Sequence, residues 1–365
     1  MDCEKTERLI VFDFIRLIAI LLVVFSHTLR VGDLPFDVTL LGKIGNAVFF
    51  FISGYLIYLN NSNIKLKSDI CYFYKKRLLR IYPLYILAIV CGLLLSIFLN
   101  GHVAQSSFEI IVSILGLQMV FYPVLVHDPI LFWFIGMIVI FYIIYPIVMY
   151  LSSGNIKKYI IYSSLFIGLM IPIKVFTGFI GGGVFEYYFV FVAGVIVAWT
   201  KLFSSPRVRV INIISLTVFI SSSLITLIFQ PSIGELEHVP LTLSIVIQVG
   251  LVMLLRFIHG ISTVFVLHMI YSSISPGKWI NKLIINGAFA SYAVYLFHGD
   301  IFRIINNIMS LGGDLIVSLL SSPLIYDIML ILIFIPIVFV ISYYIQKGES
   351  ICMIKVRRLF NKKSI

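Results

Sequence analysis

An arginine and a histidine stand eleven residues apart in one of the most apolar stretches of the chain. Arg16 and His27 belong to the segment FDFIRLIAILLVVFSHT. Ionisable side chains are costly inside a membrane span and usually mark a functional site there. On an α-helix this separation returns to within about 20° of the same azimuth, so both side chains share one face, about 16 Å apart along the axis. Asp13 lies one turn from Arg16 and is expected to pair with it. Two other interpretations fit the same pattern: Arg16 snorkels from the inner end of the helix, and His27 makes a packing hydrogen bond.

A second basic cluster lies in KKRLLRIYPLY, residues 75–85. Arg77 and Arg80 are three residues apart, so on a helix they point in the same direction. Two neighbouring guanidinium groups suit a phosphate group, which they bind through forked hydrogen bonds. Two other interpretations fit the same residues: the usual enrichment of Lys and Arg on the cytoplasmic side of a membrane, and contact with lipid phosphate.

The elements that hold these residues must be membrane helices. Of the 365 residues, 61% are hydrophobic and only 12% are charged. An average soluble domain is roughly 45–50% apolar and about 25% charged, so the composition excludes a soluble enzyme. The 31 Phe and 20 Tyr residues exclude a disordered chain. The predicted fold class is therefore all-α, a polytopic helix bundle in a membrane.

Ten apolar segments have the roughly 20 residues that a bilayer crossing needs. They are 10–29, 44–60, 81–99, 131–151, 159–176, 184–200, 210–229, 240–257, 285–305 and 324–345. Two further apolar stretches, 108–126 and 260–275, are interpreted as re-entrant or interfacial. With ten crossings and a cytoplasmic N-terminus, most of the 27 Lys and Arg residues fall on the cytoplasmic side, as the positive-inside rule requires. Two additional crossings would move several basic groups outside.

The chain is predicted to be one transmembrane domain over residues 1–365. Both termini are predicted to be cytoplasmic, with a basic cytoplasmic tail at 346–365. The net charge of +11 is interpreted as a topology signal, so no nucleic acid partner is expected. The four cysteines have no paired spacing and no histidine at metal-ligand intervals, so neither a disulfide framework nor a metal site is predicted. His259 and His268 are nine residues apart, on opposite helix faces, which argues against a shared metal.

Four short motifs in a fixed order resemble those of the acyltransferase-3 family of bacterial membrane acyltransferases. Asp13-Phe14-Ile15-Arg16 with His27 resembles the first-helix signature of that family, and FFFISGYLI at 49–57 resembles its second-helix element. RLLRIYP at 77–83 and SYAVYLFH at 291–298 resemble two later elements. No single motif is specific, but the resemblance of all four extends over most of the chain.

The resemblance implies a surface-polysaccharide O-acetyltransferase in the bacterial inner membrane. The implied donor is cytoplasmic acyl-CoA, most often acetyl-CoA, and the implied acceptor is a hydroxyl group of a surface or lipid-linked glycan such as exopolysaccharide or O-antigen. His27 would act as general base on that hydroxyl, and a covalent acyl-histidine is the less favoured route. Arg16, Arg77 and Arg80 would bind the phosphates of CoA.

Further cavity candidates come from the same motifs: Asp13, Ser53, Tyr292 and His298. The residue that orients His27 is left open between Glu186, Asp300 and hydroxyl groups on other helices. Ile138 stands where many relatives have a glutamate, so no role for that carboxylate is carried over. The chain has no room for the extracytoplasmic esterase-like domain that is fused to some relatives, so it is expected to transfer the acyl group unaided.

Two other classes of function remain open from the residues alone. A transporter or flippase of a phosphorylated or lipid-linked sugar would use the same arginines for phosphate and His27 as a proton relay. A non-catalytic membrane assembly protein would use the same residues for buried helix contacts. The four ordered motifs favour the acyltransferase, and the lack of visible matching halves disfavours the transporter.

Overall fold

The computed structural model describes residues 2–28, 38–126, 132–229, 243–274, 276–310 and 322–362. Almost all of these residues are helical, and no β-strand occurs in these ranges. Ten of the helices described there are long and apolar enough to cross a membrane. The predictions of an all-α membrane fold and of ten spans are therefore confirmed, whereas the cytoplasmic position of the termini stays a prediction.

The described ranges contain thirteen α-helices. In chain order they are α1 Asp2–Thr28, α2 Thr39–Asn61, α3 Lys67–Asn100, α4 Ser107–Ile114, α5 Gln118–Phe121, α6 Trp133–Ser152, α7 Ile156–Thr177, α8 Gly182–Trp199, α9 Val208–Phe229, α10 Leu243–Ile274, α11 Lys278–Ser310, α12 Pro323–Met329 and α13 Ile335–Lys362. A 3₁₀ turn at Leu202–Ser204 precedes α9, and a π-helical segment at Leu330–Phe334 joins α12 to α13. The tail predicted at 346–365 continues α13 as helix up to Lys362.

One predicted boundary is wrong. The sequence predicts a span at 240–257 and a separate re-entrant stretch at 260–275, but both belong to the continuous helix α10, whose apolar span is Gly250–Ile274. The polar residues at the expected break have partners on neighbouring helices, since Arg256 pairs with Glu186 and His259 contacts Ser222. These polar side chains are therefore satisfied inside the bundle, and the helix continues through them.

The other ambiguous stretch, 108–126, does form short helices. α4 begins with a capping box in which Ser106 and Glu109 bond each other's backbone amide groups. Gly116, with a φ of 71°, separates α4 from the single turn α5. Neither helix approaches the length of about 20 residues that a crossing requires.

The chain divides into two compact units. The first unit comprises Met1–Leu34, Leu79–Ala104 and Pro276–Ile365, and the second comprises Pro35–Leu78 and Gln105–Ser275. The first unit contains α1, most of α3 and α11 to α13, and the second contains α2, the beginning of α3 and α4 to α10. The prediction of one domain stays a prediction.

Close contact between α2 and α8 organises the second unit. A Cβ atom added at Gly54 would overlap the backbone carbonyl of Phe191, and one added at Gly194 would overlap the carbonyl of Phe51. Each helix thus presents a glycine to the backbone of the other, which only a residue without a side chain permits. The glycine of the FFFISGYLI motif is explained by this packing. α10 packs against α2, α8 and α9 in the same unit.

Large apolar side chains also cover the outside of the helices. Phe98, Phe176 and Leu332 are 82%, 85% and 70% exposed. On a soluble protein such a surface would be an aggregation hazard, but on a chain with ten apolar spans it is the surface that lipid covers.

Candidate functional site

Two histidines meet in the first unit. The rings of His27 on α1 and His298 on α11 lie with their centroids 5.5 Å apart and their planes inclined by 38°. A second contact fixes the helices one to the other, because a Cβ on Gly287 would lie 2.7 Å from Leu17 Cδ1. His27 follows Leu17 by ten residues on α1, and His298 follows Gly287 by eleven residues on α11. Both contacts therefore pair in the same order along the two helices, so α1 and α11 run parallel. The pair therefore lies at one common end of the two helices.

The ring of His298 is fixed by its own helix. Its Nδ1 lies 3.0 Å from the carbonyl oxygen of Val294 and 2.8 Å from that of Tyr295. Carbonyl oxygens only accept hydrogen bonds, so Nδ1 holds the proton and donates it to both. In the neutral ring the lone pair is then on Nε2. The motif SYAVYLFH thus supplies a histidine of defined tautomer, beside a His27 side chain that is exposed in the structure.

The predicted pairing of Asp13 and Arg16 is present. Arg16 donates from one terminal nitrogen to Asp13 Oδ1 at 2.9 Å, and about a quarter of each side chain is exposed, 25% and 23%. The two residues occupy successive turns of α1, as their spacing of three requires. Arg16 therefore presents a partly accessible guanidinium group on the helix that also holds His27.

Tyr292 connects α11 to the part of α3 in the first unit. Its hydroxyl group donates to the carbonyl oxygen of Ile81 at 2.9 Å. Ile81 directly follows Arg80, whose side chain is exposed. A side chain of the motif SYAVYLFH thus donates a hydrogen bond to the backbone of the motif RLLRIYP.

Arg77 has a different environment from Arg80. Its guanidinium carbon lies 5.4 Å from the centre of the Phe73 ring and 5.3 Å from that of Tyr142, both in the second unit. Arg77 is only 8% exposed, so it is held by two cation–π contacts rather than displayed at the surface. The expectation that the two arginines form one phosphate-binding surface stays a prediction. Ser53 lies half-buried in α2, next to Gly54 of the helix contact.

Asp300 follows the histidine motif on α11. It is 6% exposed, and neither carboxylate oxygen makes a hydrogen bond to any residue that the structure describes. The nearest cationic group recorded for it is that of Arg303, at 3.7 Å from Oδ1. Asp300 is one of the two carboxylates considered for orienting His27. It lies on α11, the helix that also holds His298.

The other carboxylate, Glu186, has a partner of its own. In the second unit, its Oε2 accepts a hydrogen bond of 2.8 Å from Arg256. Sequence reasoning missed this arginine, although the signal was the same as for Arg16: a cation inside an apolar span. It also missed Tyr142, because aromatic residues of membrane helices usually mark the interfacial belts.

The residues described in the structure include no cluster of three or more His, Cys, Asp or Glu side chains able to hold a metal ion. His259 and His268 have separate neighbours, since His259 contacts Ser222 on α9 and His268 lies 4.7 Å from the ring of Phe203.

Comparison with known proteins gives one match. A family model for acyltransferase family 3, described as an acyltransferase domain, matches residues 9–346, which is most of the chain. No curated protein and no solved structure matches it significantly.

Proposed function

The chain belongs to the acyltransferase-3 family, and we propose that it is an O-acyltransferase that moves an acetyl group from cytoplasmic acetyl-CoA to a hydroxyl of a surface or lipid-linked glycan. Membership of the family and the ten apolar spans give a multi-pass membrane acyltransferase. The proposal goes beyond this in four respects: acetyl-CoA as the donor, a glycan as the acceptor, the bacterial inner membrane as the location, and the residue roles given below.

The observation that carries the proposal is the pair of imidazoles on α1 and α11. His27 and His298 come from two of the motifs that are typical of the family, and their rings are neighbours. Ionisable side chains in membrane helices usually either have local bonding partners or mark a functional site. His298 has local bonds at Nδ1, whereas the His27 ring, among the residues that the structure describes, has a ring contact with His298 and no hydrogen bond that fixes it. His27 is therefore the better candidate for the reacting base.

In the proposed reaction the His27 imidazole takes the proton of the acceptor hydroxyl, and the oxygen attacks the carbonyl carbon of the thioester. The tetrahedral adduct then collapses with cleavage of the carbon–sulfur bond. The imidazolium returns its proton to the departing CoA thiolate, which leaves an O-acetyl ester and free CoA. His298 acts as a positioning residue, because its fixed ring limits the orientations open to His27.

The arginines are proposed to bind the donor. Arg16 shares the helix face of His27, so phosphates near Arg16 would place an extended pantetheine arm along α1 toward the imidazole. Arg80 is exposed and one residue from the Tyr292 hydrogen bond. Arg77 is proposed to contribute positive charge from its aromatic surroundings.

The test is the replacement His27→Ala. We expect it to lower acetyl transfer at least about 100-fold, the lower range for loss of a general base, with acetyl-CoA binding unchanged. Transfer is measured in cells by mass spectrometry of the surface glycans, as an acetyl mass that alkali removes, and donor binding is measured on purified protein in nanodiscs. His102→Ala is the matched control, since that histidine is exposed and its ring lies within hydrogen-bond distance of the carbonyl of Asn100 on its own segment. Full transfer by His27→Ala would refute the proposed role.

A further inference from the structure

The hydroxyl group of Tyr292 forms a hydrogen bond between α11 and α3 within the first unit. It donates to the carbonyl oxygen of Ile81 at 2.9 Å, and the bond is partly buried. A carbonyl oxygen has two lone pairs, so this bond adds to the helix bond that Ile81 can accept rather than replacing it. Replacement of Tyr292 by phenylalanine keeps the ring and removes the hydroxyl donor.

The turn of α3 that receives this bond is weakened by a proline. Pro83 lies inside α3. It has no N–H group, so it cannot donate the usual helix bond to the carbonyl oxygen of Leu79, four residues earlier. Arg80 and Ile81 belong to the turn between these two residues. The bond from Tyr292 therefore restrains the backbone of α3 at a turn where the helix lacks one of its own bonds.

The bond also lies at the level of the proposed site on α1. Gly287 of α11 packs on Leu17 of α1, and His298 lies beside His27. Tyr292 stands between these two contacts on α11, five residues after Gly287 and six before His298. The restrained turn of α3 is therefore joined to α11 at the same level as the stretch of α1 along which the donor is proposed to lie.

Arg80 is the side chain that this restraint would position. It is exposed, and it directly precedes the bonded Ile81. A long arginine side chain loses conformational freedom when it binds phosphate, and a backbone that is already ordered lowers the total cost. We propose that Tyr292 is a positioning residue for donor binding, which orders the backbone of Arg80 through its bond to Ile81. The assignment rests on the proposed function for the donor and for the role of Arg80.

The test is Tyr292→Phe, measured on the full chain in nanodiscs. We expect the Kd and the KM for acetyl-CoA to rise about threefold to tenfold, the effect of losing one hydrogen bond, and the turnover at saturating donor to change less than about twofold. A purely structural role would lower the turnover or the thermal stability and leave the donor affinity of the folded protein unchanged, which would overturn the assignment.

Tyr74→Phe is the matched control. The Tyr74 hydroxyl donates a similar bond, 2.8 Å long, to the carbonyl oxygen of Ile143, and both residues belong to the second unit. We expect this variant to keep the wild-type affinity for acetyl-CoA. An equal loss of affinity in Tyr74→Phe and Tyr292→Phe would contradict a specific role for Tyr292.

The variant Arg80→Ala distinguishes positioning of Arg80 from a direct contact between Tyr292 and the donor. If Tyr292 acts through Arg80, Tyr292→Phe weakens donor binding in the wild-type background but changes it less than about twofold when Arg80 is already alanine. The same loss of affinity in both backgrounds would indicate a direct contact and would overturn the assignment.

Hydrogen exchange of the backbone amide groups at 79–85 measures the order of this turn without the donor. We expect faster exchange in Tyr292→Phe than in the wild-type protein or in Tyr74→Phe. Exchange at the wild-type rate in Tyr292→Phe would show that the bond does not order the turn, and the assignment would fail.

Binding of acetyl-CoA separates this assignment from the proposed function. Donor binding that Arg80→Ala weakens and Tyr292→Phe leaves unchanged would overturn the role of Tyr292 alone. Absence of acetyl-CoA binding to the wild-type protein would reject the proposed donor, and with it the role of Tyr292 in donor binding.

Discussion

Replacing Tyr142 by leucine is expected to weaken acetyl-CoA binding about tenfold and to change the turnover at saturation little. The Tyr142 ring lies 5.3 Å from the Arg77 guanidinium, which is 8% exposed. One cation–π contact contributes about 0.5–1 kcal/mol at an exposed site and about 2 kcal/mol when desolvated. For the largely buried Arg77 we take an intermediate loss of about 1.4 kcal/mol, which corresponds to a tenfold weaker affinity for the donor. The Phe73 ring still contacts the guanidinium, at 5.4 Å from its carbon. The loss arises because a less restricted Arg77 must be ordered when the donor binds.

The assay is a titration of acetyl-CoA against purified protein in nanodiscs, paired with the donor KM for transfer. Tyr142→Phe is the matched control, since it keeps the ring and should keep wild-type affinity. Arg77→Ala gives the full effect of losing the cation. The reasoning is refuted if Arg77→Ala weakens the donor while Tyr142→Leu, folded and thermally stable, binds it as tightly as wild type.

Two further predictions concern stability. Gly54→Ala is expected to lower the yield of folded protein and its midpoint of thermal unfolding, because the new methyl group meets the Phe191 backbone. Gly250→Ala is the control, since that glycine has open space around it and its replacement should change neither quantity. Equal effects of the two replacements would contradict the close helix contact. Arg256→Met is expected to destabilise the protein by about 3–5 kcal/mol in reversible detergent unfolding, because it leaves the Glu186 carboxylate buried without its cation. Adding Glu186→Leu should recover most of that loss, and no recovery would argue against the pair.

Much of the architecture could be predicted, because membrane spans depend on local composition. The number of spans, ten, could be predicted without any knowledge of packing. The failure at 240–275 has a specific cause. Arg256 and His259 interrupt the apolar pattern, yet Glu186 and Ser222 on neighbouring helices satisfy them, so the helix continues. Contacts between distant segments are not visible in a hydropathy pattern.

The candidate site could be predicted only in part, for the same reason. The spacing within α1 correctly indicates that Asp13 and Arg16 pair, because both lie on one helix. The proximity of His27 to His298 depends on the packing of α1 against α11, and spacing carries no information about it. Glu186 was a possible partner of His27 but pairs with Arg256. Such choices are decided by tertiary packing.

The parallel packing of α1 and α11 has a consequence for biosynthesis. About 270 residues separate the two histidines, and a ribosome that adds about 5–20 residues per second needs roughly 15–50 s to translate them. Throughout that interval α1 lies in the bilayer with Arg16 and His27 but without α11. A nascent chain that stops before α11 therefore contains only one imidazole of the pair. Under the proposed mechanism, such a fragment would lack the complete base and would not consume acetyl-CoA.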